Sequence, residues 1–190
     1  MNPEKIAKFL LTAGKLKALE RSGWVREGTP NPETVAEHSW RVAILALVLA
    51  KHLGINRHRL VEMALIHDFE EIETQDPVTQ RGKKQLSNHD SQQERKIVGK
   101  ILEGLPDFEE IYSLWEAHIP ENGPEKTRES DILYQLGKIA TAWRALEYEL
   151  GGADPRKLDE FWENAWVHVK EPKLKELLKE LEALRKKKSK

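Results

Sequence analysis

Apolar residues recur every three or four positions along most of the chain, a spacing that predicts helices rather than strands. Asparagine followed by proline, a helix-start signal, occurs at 2–3 and again at 31–32. The second of these signals is expected to open a helix that includes the most apolar stretch, 42–50, and that stops at Gly54. No segment shows the strict alternation of a half-buried strand. The pattern therefore predicts an all-α fold.

The same signals divide the rest of the chain into helices. One is expected to start at Asn56 and to run to about Thr74. Others are predicted over about 87–103, 106–119 and 125–150, and from 155 and 172, with turns at 76–86 and 120–124. This gives about seven or eight helices in a single domain, 1–190, since 190 residues is an ordinary domain length. Its core is expected over about 15–150, followed by C-terminal helices over about 154–188.

Composition narrows the possible functions. Lys and Arg total 31 and Asp and Glu total 32, so a net charge of -1 gives no reason to expect a nucleic-acid polymer as partner. A small anionic substrate needs only a local cationic site and stays possible. The sequence contains no cysteine, so a metal must be held by His, Asp or Glu. No apolar run approaches the ~20 residues that cross a bilayer, and we expect a cytoplasmic protein without a membrane partner.

Residues that could bind a metal occur in three separate helical segments. His67 and Asp68 are adjacent late in one predicted helix, and an ion between their two directions can contact both. His38 lies at the end of the apolar stripe of the preceding helix, and Asp131 lies early in a later one. Taken singly, each has a plain alternative, either a hydrogen-bonded core histidine or an acid favoured by the helix dipole.

Taken together, three strings resemble the HD superfamily of metal-dependent phosphohydrolases. They are 34–41 (TVAEHSWR), 67–76 (HDFEEIETQD) and Asp131, in the order of the family's signature of a His, a later His-Asp pair and a distant Asp. The likeness spans roughly residues 15–148. It implies an HD-type helical bundle in which one divalent transition metal (Mn, Co, Ni, Fe or Zn) is held by His38, His67, Asp68 and Asp131.

One part of the chain departs from that pattern. Relatives often carry an Asp-Lys pair or a polar run after the distant Asp, where this chain has 132–135 (ILYQ). Glu129 is the alternative acid in the same segment.

Within the superfamily, the chain is most similar to the small 5'-deoxynucleotidases, which hydrolyse 5'-deoxynucleoside monophosphates to deoxynucleoside and phosphate. The segment 16–24 (LKALERSGW) looks like the leading helix of that branch. The resemblance implies that Glu71 is catalytic and that the substrate is bound by Arg21, Trp24 and Asp76. It also implies a homodimer, and the six tryptophans offer apolar area for a partner.

Plain readings of these residues remain open beside the family's roles. Glu71 lies in an acidic run that can simply face solvent, Arg21 can be a surface residue, and Trp24 can be a packed one. Two other functions also remain open. The first is a different HD phosphohydrolase, such as a phosphodiesterase or a nucleoside triphosphohydrolase. The second is a non-catalytic helical module with a structural metal.

Overall fold

The computed structural model describes residues 2–77, 91–119 and 127–188 of the chain. Within these ranges the chain is all-α, as predicted, with ten α-helices, one 3-10 helix at Gly14–Lys17 and a single isolated bridge pairing Glu20 with Thr34. The α-helices are α1 (Pro3–Ala13), α2 (Ser22–Glu27), α3 (Val35–Leu53), α4 (Arg57–Ile66), α5 (Glu71–Thr74), α6 (Ser91–Leu102), α7 (Phe108–Glu116), α8 (Arg128–Leu150), α9 (Pro155–His168) and α10 (Pro172–Lys188). None of the described helices combines the length and the apolarity needed to cross a membrane. The turn predicted at 120–124, and the predicted loop beyond residue 77, lie outside the described residues.

Helix α3 begins three residues later than the Asn-Pro signal predicted. Thr34 is its N-cap, because the Thr34 hydroxyl accepts from the N–H of Glu37 at 3.2 Å and the Glu37 carboxylate accepts from the N–H of Thr34 at 2.8 Å. This reciprocal pair satisfies two backbone donors at once. Asn31 instead takes a left-handed conformation, with φ 50°, in the turn before the helix. His38 consequently lies in the first turn of α3. Gly54 ends α3 with φ 70°, as predicted.

The helix predicted over 56–74 is interrupted by a turn at 67–70, although helical structure does end at Thr74 as predicted. Helix α4 ends at Ile66, and the backbone then tightens into bonds that span three residues, such as Phe69 N–H to Ile66 O at 3.2 Å and Glu71 N–H to Asp68 O at 3.2 Å. The short helix α5 follows. His67 and Asp68 therefore lie in a tight turn between two helices, where their side chains are not constrained to helical directions.

Two clusters of buried apolar side chains meet beside this turn. The larger cluster joins α3, α4, α8, α9 and α10, and the smaller one joins the N-terminal segment with α6 and α7. In α3, Val42 belongs to the larger cluster and Val35 to the smaller one, while Ile66 at the end of α4 packs against both. His38 and His67 thus lie where the two clusters adjoin.

The C-terminal helices are fixed to α8 by one buried amide. The side-chain oxygen of Gln135 accepts from the backbone N–H groups of Lys170 and Glu171, both at 2.8 Å, at the junction between α9 and α10. The side-chain nitrogen of Gln135 donates to Asp131 Oδ2 at 2.6 Å. A buried amide with its oxygen and nitrogen both bonded specifies one arrangement of the helices that it joins.

Candidate metal centre

Three of the predicted ligands come together in the turn after α4. His38, His67 and Asp68 each offer one ligand atom, and these atoms all lie within 4.8 Å of one another. The Nε2 of His67 is 3.2 Å from Asp68 Oδ2, and the ring centroids of His38 and His67 are 5.7 Å apart. Two atoms that bind one ion at about 2 Å lie at most about 4 Å apart. Small side-chain rotations therefore suffice to bring all three onto a single ion.

Each histidine can present a ring nitrogen to a metal. Burial lowers the pKa of His38 well below its ordinary value, and the nearby positive charge of Arg21 lowers it further, so its ring is neutral at neutral pH. The Nδ1 of His67 lies 2.9 Å from Ala64 O. A carbonyl can only accept, so Nδ1 carries the proton and Nε2 keeps its lone pair for a metal.

The chemistry of the donor set fits a divalent metal, and His38 also carries an unpaired buried nitrogen. Among the described residues, the Nδ1 of His38 has no hydrogen-bond partner although it is shielded from solvent. Such groups are uncommon in folded proteins. Two neutral imidazoles and a carboxylate suit Mn, Co, Ni, Fe or Zn. The residues present therefore fit a divalent transition metal.

The structure does not bring Asp131 into this cluster. Its carboxylate lies against the Gln135 amide. The α8 residue that faces the cluster is Gly137, since a Cβ built there would lie 3.8 Å from His38 Nε2. Six residues of helix separate the two positions by about 9 Å along the axis and by about 240° around it. Asp131 therefore points elsewhere, and the alternative Glu129, also in the first turn of α8, is likewise outside the cluster.

Glu71 lies beside the cluster, although it opens a separate helix. Its side chain is buried, and its Oε2 has no hydrogen-bond partner among the described residues. Burial raises the pKa of Glu71 well above its ordinary value, and the neighbouring carboxylates of Asp68 and Asp76 raise it further. Its surroundings therefore favour the protonated form of Glu71. It can give a proton to a group formed next to it.

The adjacent Glu70 points the other way and has a different setting. Its Oε2 accepts from the indole N–H of Trp115 at 2.8 Å. Burial, followed by the charge of Asp68, raises the pKa of Glu70 to about 8. Glu70 thus fixes the turn against α7, whereas Glu71 has an oxygen available for chemistry.

Arg21 and Asp76 lie on one side of the cluster. The guanidinium of Arg21 is 4.0 Å from Asp68 Oδ2 and 3.9 Å from Asp76 Oδ1. The other oxygen of Asp76 accepts from the N–H and the hydroxyl of Ser22, at 2.7 and 2.6 Å. Asp76 thereby fixes the start of α2, and with it the direction of Arg21. The structure brings Arg21 and Asp76 together with the metal-ligand residues.

Trp24 does not line this site. It is 1% exposed, its ring centroid lies 4.1 Å from that of Phe161 and 5.2 Å from that of Tyr148, and its N–H donates to Glu33 Oε2 at 3.1 Å. Its effect on the site is indirect, because the Glu33 backbone oxygen accepts from the N–H of Arg21 at 2.9 Å.

Three residues near the cluster had no distinguishing signal in the sequence. The ring of His118 lies 6.2 Å from that of His67, and its Nδ1 is bonded to Trp115 O. Burial, then the charge of Arg21, lowers the pKa of Lys138 to about 8. Gly137 is the third. Tertiary packing alone brings these three residues to the cluster, since positions 118, 137 and 138 are distant from 67–68 along the chain.

Comparisons with known proteins identify the family of the chain. A family model described as HD domain matches residues 13–182, a longer stretch than the 15–148 of the sequence resemblance. The human 5'-deoxynucleotidase HDDC2 is 30% identical over 182 residues, covering 95% of this chain and 86% of that protein. The protein of the same name from Dictyostelium discoideum is 30% identical over 196 residues, covering 94% and 97%.

Solved structures show the same fold. A conserved hypothetical protein from Pyrococcus furiosus matches with a TM-score of 0.71 and 31% identity, over 92% of this chain and 98% of that one. A predicted metal-dependent phosphohydrolase from Magnetospirillum magnetotacticum matches with a TM-score of 0.65 and 23% identity, over 97% and 91%, a likeness that concerns the fold alone. These similarities cover every residue of the candidate metal centre.

Proposed function

The chain belongs to the HD domain family, and on this basis we propose that it is a metal-dependent phosphohydrolase that converts 5'-deoxynucleoside monophosphates to deoxynucleosides and phosphate. The observation that carries the proposal is the meeting of His38, His67 and Asp68 beside the buried acid Glu71 and the cation Arg21. The substrate class is supported by relatives named 5'-deoxynucleotidase that align with nearly the whole chain.

The three clustered side chains would hold the metal. When bound there, a divalent ion polarises a phosphoryl oxygen and acidifies a water molecule. The chain's part is to keep the donors in place: Ala64 O fixes the ring of His67, and burial keeps His38 neutral. Three protein ligands leave coordination positions open, as catalytic sites require.

Glu71 acts as the proton donor. Hydrolysis breaks the bond between phosphorus and the 5'-oxygen, the oxygen of water bonds to phosphorus, and the departing 5'-oxygen needs a proton to leave as a hydroxyl. Because burial and the neighbouring carboxylates raise its pKa, the buried carboxyl of Glu71 is suited to hold and supply that proton. Positioned general acids of this kind typically contribute about 10²–10⁴-fold to rate.

Arg21 binds the phosphate of the substrate. Its guanidinium lies near both Asp68 and Asp76 but makes no close ion pair with either, at 4.0 and 3.9 Å. A planar fork that is already oriented and only loosely paired can accept two phosphate oxygens. Asp76 serves as the positioning residue through its bonds to Ser22.

A nucleotide panel tests the proposed activity. Purified protein loaded with Mn or Co is assayed for phosphate release from deoxynucleoside and ribonucleoside monophosphates, deoxynucleoside triphosphates and cyclic nucleotides. We expect release from the deoxynucleoside monophosphates. Turnover of triphosphates or cyclic nucleotides alone would establish the alternative HD activity. A metal-loaded protein that is inactive on the whole panel would be the non-catalytic module.

Replacing Arg21 with alanine is expected to raise the KM for a deoxynucleoside monophosphate by about 10–100-fold, since charged hydrogen bonds contribute about 1.5–3 kcal/mol. Metal content should stay at the wild-type level. Arg59→Ala, on the exposed face of α4, is the matched control and should leave both quantities unchanged. An unaltered KM in the Arg21 variant would remove this residue from the substrate site.

We infer that the protein is a homodimer that pairs through α3. Trp40, Leu47 and Val48 lie on one face of this helix and are 56%, 47% and 59% exposed. The ring of Trp143, 6.4 Å from that of Trp40, extends the apolar face onto α8. A second copy of the chain that covers this apolar face would remove it from water, which favours dimer formation.

Val48→Glu is the test of the dimer, because a charge cannot be buried there without cost. We expect sedimentation or light scattering to shift from dimer to monomer. Val167→Glu places the same charge on α9, at a residue that is also 59% exposed, and should leave the mass unchanged. A monomeric wild type would contradict the inference.

We also infer a cytoplasmic location. The sequence contains no cysteine, so folding requires no oxidising compartment. Fractionation of source cells would test this, and recovery with membranes or outside the cell would contradict it.

A further inference from the structure

The long helix α8 passes the metal cluster at a glycine. A Cβ added at Gly137 would have one neighbour within 4 Å, His38 Nε2 at 3.8 Å, which is ordinary contact. The φ of Gly137 is not in the left-handed region. Neither packing nor backbone conformation therefore requires glycine here, although glycine weakens the interior of a helix relative to alanine. What the glycine does is keep the space beside His38 open.

No other described acid of α8 reaches this space. Asp131 is one and a half turns away on a different face and is bonded to Gln135. The group of described residues that can share one ion contains nothing from α8. A carboxylate at 137 would reach the ion with ease, because its oxygens extend about 2.4 Å beyond Cβ and bind metals at about 2.0–2.2 Å. The backbone at residue 137 is thus close enough to the ion, and α8 offers no ligand there only because glycine has no side chain.

The charge around the gap is positive. Two neutral imidazoles and one carboxylate leave a divalent ion with a net charge of +1, whereas a fourth ligand carboxylate would bring it to zero. Lys138 follows Gly137 directly and is close enough to Arg21 and Asp68 to feel their charges. Arg21 adds a second cation near Asp68. Charges of one sign in a recessed site attract the opposite charge.

We propose that the coordination position beside Gly137 is left open because α8, among the described residues, offers no ligand side chain there, and that it is taken by an anionic oxygen of the substrate's phosphate. This rests on the proposed function, because it assigns a place to the phosphate within that site. Gly137 is then a specificity-determining position. Without a ligand side chain at this position, the protein binds the metal less tightly and a phosphate more tightly.

Gly137→Asp is the direct test, with Gly137→Asn and Gly137→Ala as controls of matched shape and of minimal size. Titration calorimetry first measures Mn or Co binding to the metal-free protein, and then inorganic phosphate binding to the metal-loaded protein. We expect Gly137→Asp to bind metal at least about tenfold more tightly, since even groups that only orient ligands change metal affinity by 10–100-fold. It should bind phosphate at least about tenfold more weakly, for loss of the open position and of the net positive charge. Gly137→Ala should match wild type in both titrations, and Gly137→Asn should show the smaller change in metal affinity.

A second variant keeps the proposal refutable if Gly137→Asp fails to fold. Asp131→Asn should retain wild-type metal affinity, and a large loss there would identify Asp131 as the fourth ligand and overturn the proposal. Unchanged metal and phosphate binding in a folded Gly137→Asp protein would overturn it as well. Both titrations are independent of turnover. A wild type that binds metal and phosphate as described, yet releases no phosphate from nucleotides, would refute the proposed function and leave this inference standing.

Discussion

Replacing His67 with alanine is expected to abolish both metal binding and phosphate release. His67 is the central member of the cluster, 3.2 Å from Asp68 Oδ2 and next to the ring of His38, and Ala64 O already directs its Nε2 toward them. Two remaining ligands are too few for a catalytic site. Losing several kcal/mol of metal-dependent stabilisation lowers turnover by at least about 10³-fold. Elemental analysis of the purified variant and a phosphate-release assay measure the two effects.

His58→Ala is the matched control for this prediction. His58 lies on α4, the helix that precedes His67, and is exposed to solvent. It should keep wild-type metal content and activity. A His67→Ala protein that still carried one metal per chain would reject the site.

Glu71→Gln is expected to keep the metal and lose turnover by about 10²–10⁴-fold, the usual contribution of a positioned general acid. The amide preserves size but has no acidic proton. The pH profile adds a second readout. A raised pKa means that Glu71 is protonated below that pKa and loses its proton above it, so wild-type activity should fall as pH rises through this value. The variant should lack that decline.

Glu73→Gln, an exposed acid on the same short helix α5, is the control and should behave as wild type. Full turnover in Glu71→Gln would show that the reaction needs no acid at this position. Loss of metal together with turnover would assign Glu71 a structural role instead.

The helical fold could be predicted from local patterns in the sequence, and the meeting of three of the four predicted ligand residues from the family resemblance. Apolar spacing predicted the helices, and the capping signals set most of their ends. His38 was expected at the end of an apolar stripe, and the structure buries it there. Its meeting with His67 and Asp68 was expected from the family resemblance.

The place of Asp131, the predicted fourth ligand, could not be predicted in the same way. A periodic helix such as α8 presents several residues in similar settings, and only its rotation against α3 decides which one faces the cluster. That rotation brings Gly137 to His38 and leaves Asp131, which is bonded to Gln135 of the same helix, on a different face. The position of Trp24 could not be predicted from the sequence either. An aromatic residue near an arginine can line a pocket or pack in the core, and contacts with Phe161 and Tyr148 place Trp24 in the core.

The break after Ile66 also escaped prediction. Residues 67–74 contain no proline or glycine to mark the end of a helix. The tight turn is held by contacts distant in sequence, such as the bond from Trp115 to Glu70. Because of this turn, two ligand residues and the acid fit within five residues.

The buried amide of Gln135 makes the last two helices inseparable from the catalytic part of the molecule. Swinging α9 and α10 away from α8 would strip two backbone donors from one side-chain oxygen simultaneously. Amide protons at a junction between helices ordinarily exchange quickly with solvent, but those of Lys170 and Glu171 should exchange only when the whole bundle opens. The last fifth of the chain, from Pro155 onward, is therefore part of a single cooperative unfolding unit and not an appendage that truncation could remove without harm.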